Sequence, residues 1–151
     1  MEVNSGVLTA YCPDWKARQL LFEKRIYGMN KNRDYHGIIV NISQRDKSIF
    51  AQLKLLGRKT IIPAILLLYK INVAPEKLES TLQNLQDNMA GSLFYAHLYR
   101  NEELIVIFKH KIFRVTPDES SWQELINYGR SVHIPSFLLD FTPCRFEDET
   151  F

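Results

Sequence analysis

From Ala64 to Val73 the chain is an almost unbroken apolar run, and Pro75 closes it. Such a run reads as a strand. Proline then suits the first turn of the next helix, where a missing N–H costs nothing. Leu78, Leu82, Leu85 and Met89 follow at spacings of four, three and four, with Gly91 just beyond. That spacing predicts one face of an amphipathic helix with a glycine stop. Leu93 to Tyr99 alternates as a strand, Asn101-Glu102 makes a turn, and Leu104 to Phe108 returns. Ile112 to Val115 continues after the bend at Lys109-His110-Lys111. Ser121 and Glu124 have the spacing of a capping box, opening a helix with Trp122, Leu125 and Ile126 turned inward. Phe137 to Phe141 reads as the last strand.

The order from residue 64 is therefore strand, helix, strand, strand, helix, strand. It predicts an α+β fold, a ferredoxin-like βαββαβ antiparallel sheet with helices on one face. The stretch after Asn101 is long enough for one more hairpin.

The first third of the chain reads as an α/β extension. Residues 6–12 predict a short strand, and Trp15 to Tyr27 a helix capped by Gly28. His36 to Ile42 reads as a strand. Ser43 and Asp46 have capping-box character, and Ile49, Phe50, Leu53 and Leu56 form a helical stripe stopped by Gly57. The predicted organisation is an N-terminal extension over 1–62 packed on the sheet, a ferredoxin-like domain over 63–146, and a solvated acidic tail over 147–151.

Strand faces carry a further expectation. Ile65, Leu67, Tyr69, Ile71 and Val73 share one side, whereas Leu66, Leu68, Lys70 and Asn72 share the other. Half of the second set is apolar, and a water-facing sheet surface alternates more cleanly. The helix-free face should be covered, by the first ~60 residues or by a second copy of the chain. A homodimer is the expected assembly.

At 151 residues and 46% hydrophobic, the chain can bury a core without disulfide or metal. The net charge of +2 hides an uneven distribution, +7 over residues 1–75 and −5 over 76–151. A basic half beside an acidic half fits mutual docking of the two, or an anionic partner. The N-terminus lacks a basic region followed by an apolar stretch, and no apolar run approaches the ~20 residues of a membrane span. No membrane association is expected. Cys12 and Cys144 sit in unrelated contexts, which fits reduced thiols in a cytoplasmic protein.

Three groupings carry candidate chemistry. Tyr95, His97 and Tyr99 fall on one face of a strand at period two, where rings could stack on a planar ligand or His97 could move a proton. Arg100, Lys109, His110, Lys111 and Arg114 cluster around the hairpins and could hold phosphates. Arg58 and Lys59, with Arg45, Lys47 and Lys54, make a basic region that suits a helix end or a nucleic-acid contact. Leu68 to Val73 resembles the first-strand motif of RNA-recognition motifs in its placing of Tyr69 and Asn72. The companion Gly-and-aromatic motif is absent from Leu104 to Val115, and Lys70 departs from the pattern. The chain is not assigned to that family.

There is no GxGxxG, Walker loop, HExxH or GxSxG, and His36, His97, His110 and His133 lie in four separate elements. No catalytic residue, metal ligand or cofactor is assigned. The leading expectation is a non-catalytic, self-associating binding or regulatory domain. The alternatives are an RNA- or DNA-binding protein and a small enzyme with a His/Tyr pocket.

Overall fold

Six strands form one antiparallel sheet in the computed structural model, which describes residues 17–19 and 34–151. Residues 17–19 are helical. The expected strand over 6–12, and the expected helix over 15–27 apart from that turn, lie outside the described residues.

The strands are β1 (Tyr35–Val40), β2 (Lys54–Ile62), β3 (Leu66–Val73), β4 (Tyr95–Arg100), β5 (Glu103–Phe108) and β6 (Ile112–Val115). Their order across the sheet is β2-β3-β1-β4-β5-β6. Among residues 34–151 the α-helices are α1 (Ile49–Gln52), α2 (Leu78–Asp87) and α3 (Gln123–Ser131).

The mixed architecture and the antiparallel sheet are as expected, but the ferredoxin-like plan is not adopted. β1, read as part of an extension, occupies the middle of the sheet between β3 and β4. Its apolar run is buried on both sides, Ile39 toward one core and Ile38 toward the other, as a central strand requires. Close packing around it needs a glycine. A Cβ on Gly37 would meet the Leu98 side chain at 2.9 Å and the His97 carbonyl at 3.0 Å. The 62/63 boundary falls in the turn joining β2 to β3, two hydrogen-bonded strands, and residues 33–151 form one compact unit.

The helices also depart from the plan by lying on opposite faces. Leu78, Leu82 and Leu85 of α2 pack with Ile39, Ile71, Leu98 and Ile105. Leu125 of α3 packs with Ile38, Tyr99, Val106 and Phe113 on the other side. Strand parity explains this, since residues 104, 106 and 108 face one layer and 105 and 107 the other. Helical periodicity marks which side of a helix is apolar, but not which side of a sheet receives it.

Two local readings change. Ile49 to Leu56 was expected to be one helix, yet only Ile49–Gln52 is helical and β2 starts at Lys54. The β-branched Thr60-Ile61-Ile62 and the pairing offered by β3 override the short helical stripe. The β2–β3 turn has Pro63 at its second position and Ala64 at φ 61°, with the Ile65 N–H donating to the Ile62 carbonyl at 3.1 Å. This is the turn chemistry in which proline fixes the first bend. Phe137 to Phe141 is likewise not a strand. It is a 3-10 turn over Ser136–Leu138 followed by irregular chain.

Candidate functional site

That irregular C-terminal chain decides what happens to Tyr95, His97 and Tyr99. The three rings do share one sheet face, as expected, and adjacent pairs sit 6.3 and 6.0 Å apart. The face is covered by α3 and residues 134–151 of the same chain. Leu139 and Phe141 lie in the same core as Tyr99, and Phe141 packs against Tyr95, His97 and Trp122 with ring centres 5.2–6.2 Å apart. Gly129 of α3 makes room for this segment, because a Cβ there would lie 2.6 Å from Leu139.

Polar ends of the rings are satisfied by the same segment. The Tyr95 hydroxyl donates toward the carbonyls of Leu138 and Asp140 at 2.6 and 2.8 Å. His97 is only 3% exposed, and its Nε2–H donates to the Pro143 carbonyl at 2.9 Å. A carbonyl can only accept, so the proton is on Nε2. Burial lowers the His97 pKa to about 4, against the opposing pull of the Pro143 hydrogen bond. The imidazole is therefore neutral at pH 7. Burial, aided by Asp140, pushes the Tyr95 phenol upward. Burial and the Glu149 hydrogen bond do the same to Tyr99.

Beside the rings stands a polar cluster that sequence reasoning did not assemble. Strand register sets His36 opposite Tyr99, and Ile38 opposite both His97 and Lys70. Glu149 reaches down onto this row. It accepts from His36 Nδ1, from Lys70 Nζ at 2.9 Å and from the Tyr99 hydroxyl at 2.9 Å. Lys70, 8% exposed, also donates to the main-chain oxygen of Phe151. Phe146 closes the cluster edge-on against His36 at 4.6 Å. Burial raises the Glu149 pKa, but hydrogen bonds from His36, Lys70 and Tyr99 outweigh it and hold the carboxyl below its usual value. The tail expected to be solvated is thus clipped to the sheet. Lys70, a single charge inside an apolar strand, was the signal for this site. A buried lysine needs an anion, but its partner lies 79 positions away.

Arg100 at the end of β4 and the Lys and Arg residues of the β5–β6 hairpin are occupied within the fold. Arg100 and Arg114 pair with Glu103, and Arg114 also with Glu79. Lys111 pairs with Glu124 at 2.8 Å, and Lys109 donates to the Met89 carbonyl just past α2 at 2.7 Å. Glu103 further accepts from Tyr35 at 2.6 Å. Burial and that carboxylate push the Tyr35 phenol up to about 12. His110 sits in the bend between β5 and β6.

β2 contrasts with this. It is an edge strand, bonded to β3 alone among the described strands. Eight of its nine residues are exposed, and Leu55, Leu56, Ile61 and Ile62 are each 41–47% exposed. Lys54 and Arg58 have no ion-pair partner among the described residues, while Lys59 lies over the Phe151 ring at 5.8 Å. The adjoining turn adds Ile65, 60% exposed. Asn41 pins its base through the Ile65 carbonyl and the Leu67 N–H.

Among the described residues no group of three or more His, Cys, Asp or Glu is placed to hold a metal ion. None of their helices is long and apolar enough to cross a membrane. Cys144 is a buried free thiol whose pKa is raised by burial and by Asp148. Comparison with protein-family models, curated proteins and solved structures gives no match.

Proposed function

We propose that the chain is a non-catalytic binding module that engages another macromolecule along β2. The observation that carries this reading is the long, exposed, aliphatic sheet edge. Unpaired strand edges template pairing with another chain, and natural proteins seldom leave long apolar ones bare. A cytoplasmic setting is part of the proposal, and the unpaired Cys144 thiol supports it. The ring face of Tyr95, His97 and Tyr99 serves the reading less well. The chain's own C-terminal segment already fills it, so a ligand there requires that segment to lift. The same covering removes the reason for a sheet-face homodimer.

A photo-reactive side chain placed at Leu56, in cells expressing the chain, tests the reading. A discrete covalent adduct is expected from position 56 and none from Ser80 on the exposed side of α2. Equal labelling from both positions, or none, would discard the module.

A second reading, RNA or DNA binding, is favoured by one observation. Between Asp46 and Glu76 there are five basic residues and no acidic one. It predicts salt-sensitive retention of nucleic acid on purification, seen as a raised 260/280 nm absorbance ratio.

A further inference from the structure

We propose that β2 accepts an extended, carboxylate-bearing polypeptide segment as a seventh strand of the sheet. This rests on the binding-module reading and adds the chemistry of the partner.

Charge decides the occupant. Lys47, Lys54, Arg58, Lys59 and Lys70 all fall in the acid-free stretch between Asp46 and Glu76. Around the β4–β5 and β5–β6 hairpins, Arg100, Lys111 and Arg114 are neutralised by carboxylates of the fold. On β2, Lys54 and Arg58 have no such partner among the described residues. Of the carboxylates near this part of the sheet, Glu149 is committed to His36, Lys70 and Tyr99, and Asp34 accepts from Asn72.

A second copy is a poor occupant. Antiparallel pairing of β2 with itself over its full length, Lys54–Ile62, centres the two strands on Arg58. Arg58 would then oppose its own copy, with Gly57 opposite Lys59 on either side. Like charges directly opposed across strands are destabilising. Lysine on an edge is also a recognised means of blocking self-association. The feature that rejects a second β2 favours a strand bearing carboxylates.

Nucleic acid is disfavoured by the company the cations keep. Single strands are held by aromatic platforms as well as charge. β2 offers Leu55, Leu56, Ile61 and Ile62, and no ring of its own. Aliphatic side chains beside unpaired backbone groups suit strand addition, in which main-chain hydrogen bonds supply affinity and side chains the selectivity.

The register specifies the pattern. Arg58 pairs with Tyr69 and so lies on the α2 face, while Lys54 and Lys59 pair with Asn72 and Leu68 and lie on the opposite face. Irregularities at Leu56 and Ile61 leave Gly57 to Thr60 as the regular central run. An added strand should therefore be acidic at its centre, on both faces, and aliphatic at its ends.

The test uses the full chain and a labelled nonapeptide, Val-Thr-Val-Glu-Glu-Glu-Val-Thr-Val, with a triple-lysine analogue, a backbone N-methylated analogue and a 20-nucleotide oligothymidylate. Fluorescence anisotropy reads affinity, and amide shifts read location. The glutamate peptide should bind at least tenfold more tightly than the lysine peptide and shift the β2 amides. N-methylation should weaken it at least tenfold, because ion pairing survives but the ladder does not. The double variant Lys54→Glu with Arg58→Glu should invert the peptide preference. No saturable binding of the glutamate peptide would overturn the proposal. So would indifference to N-methylation, tighter binding of oligothymidylate at β2, or β2-mediated dimers. If the glutamate peptide fails while position 56 still gives its adduct, only the acidic chemistry is wrong. If both fail, the binding module itself falls.

Discussion

His97 and Glu149 show how far a single side chain's behaviour is set by its surroundings. His97 has a folded pKa of about 4 against an ordinary 6.5. Between those values the unfolded chain holds a proton that the folded chain does not, so stability falls as pH drops through that window and levels off below it. The loss amounts to about 3 kcal/mol at 1.36 kcal/mol per pKa unit. Urea denaturation from pH 7 to pH 4 should show this slope, and His97→Gln should flatten it. Glu149 works in the same direction by another route. Its depressed pKa contributes stability above the ordinary carboxylate value, which is lost as pH falls through the folded value. Glu149→Gln leaves Lys70 without its counter-charge and should cost about 1–3 kcal/mol near neutral pH. The gap between this variant and the native chain should narrow steadily below pH 4.5, and a constant gap would show that Glu149 acts by packing alone.

The C-terminal segment behaves as a structural layer although it has almost no regular secondary structure. Its hold comes from Leu139 and Phe141 inserted beside α3, each worth roughly 1.5–3 kcal/mol of burial. The Tyr95, His97 and Glu149 hydrogen bonds lock its position. Phe141→Ala should cost about 3–5 kcal/mol in chemical denaturation. It should also bring Tyr95 and Trp122 into contact with water, seen as a red shift and greater acrylamide quenching of tryptophan fluorescence. Unchanged fluorescence would mean that the segment stays seated without its anchor. Element identity was largely legible here. β3, β4, β5, β6, α2 and α3 fall close to where periodicity and punctuation put them. The errors lie where a short apolar stretch fits two patterns. Ile49 to Leu56 satisfied a helical stripe, and Phe137 to Phe141 a strand. Long-range pairing with β3 settled the first, and packing against α3 the second.

At the scale of the whole molecule, the covered ring face bears on the expected homodimer. Light scattering of the isolated chain across 10–200 μM should give a monomer mass, since the surface that called for a partner copy is filled from within. A stable dimer would instead place a second copy at β2, against the charge argument. The candidate sites were partly legible in the same sense. Tyr95, His97 and Tyr99 share one face, as period two requires, whereas Arg58 and Lys59, read as following a helix end, lie inside β2. What covers the rings, and which cations are already paired, was not legible. The deciding partners are distant in the chain: Pro143 for His97, Glu149 for Lys70, Glu79 for Arg114.

By itself the sequence determined the α+β character, most of the elements, the residues sharing each strand face and the uneven charge. These follow from local periodicity and local steric preference, which act over a few residues. Tertiary structure alone decided the insertion of β1 into the middle of the sheet and the placing of α2 and α3 on opposite faces. It also decided the closing of the ring face by residues 134–151 and the exposure of β2. Each of these depends on which apolar surface meets which, and burial carries no direction along the chain. Several arrangements satisfy the same periodicity, and packing the whole unit at once selects one of them.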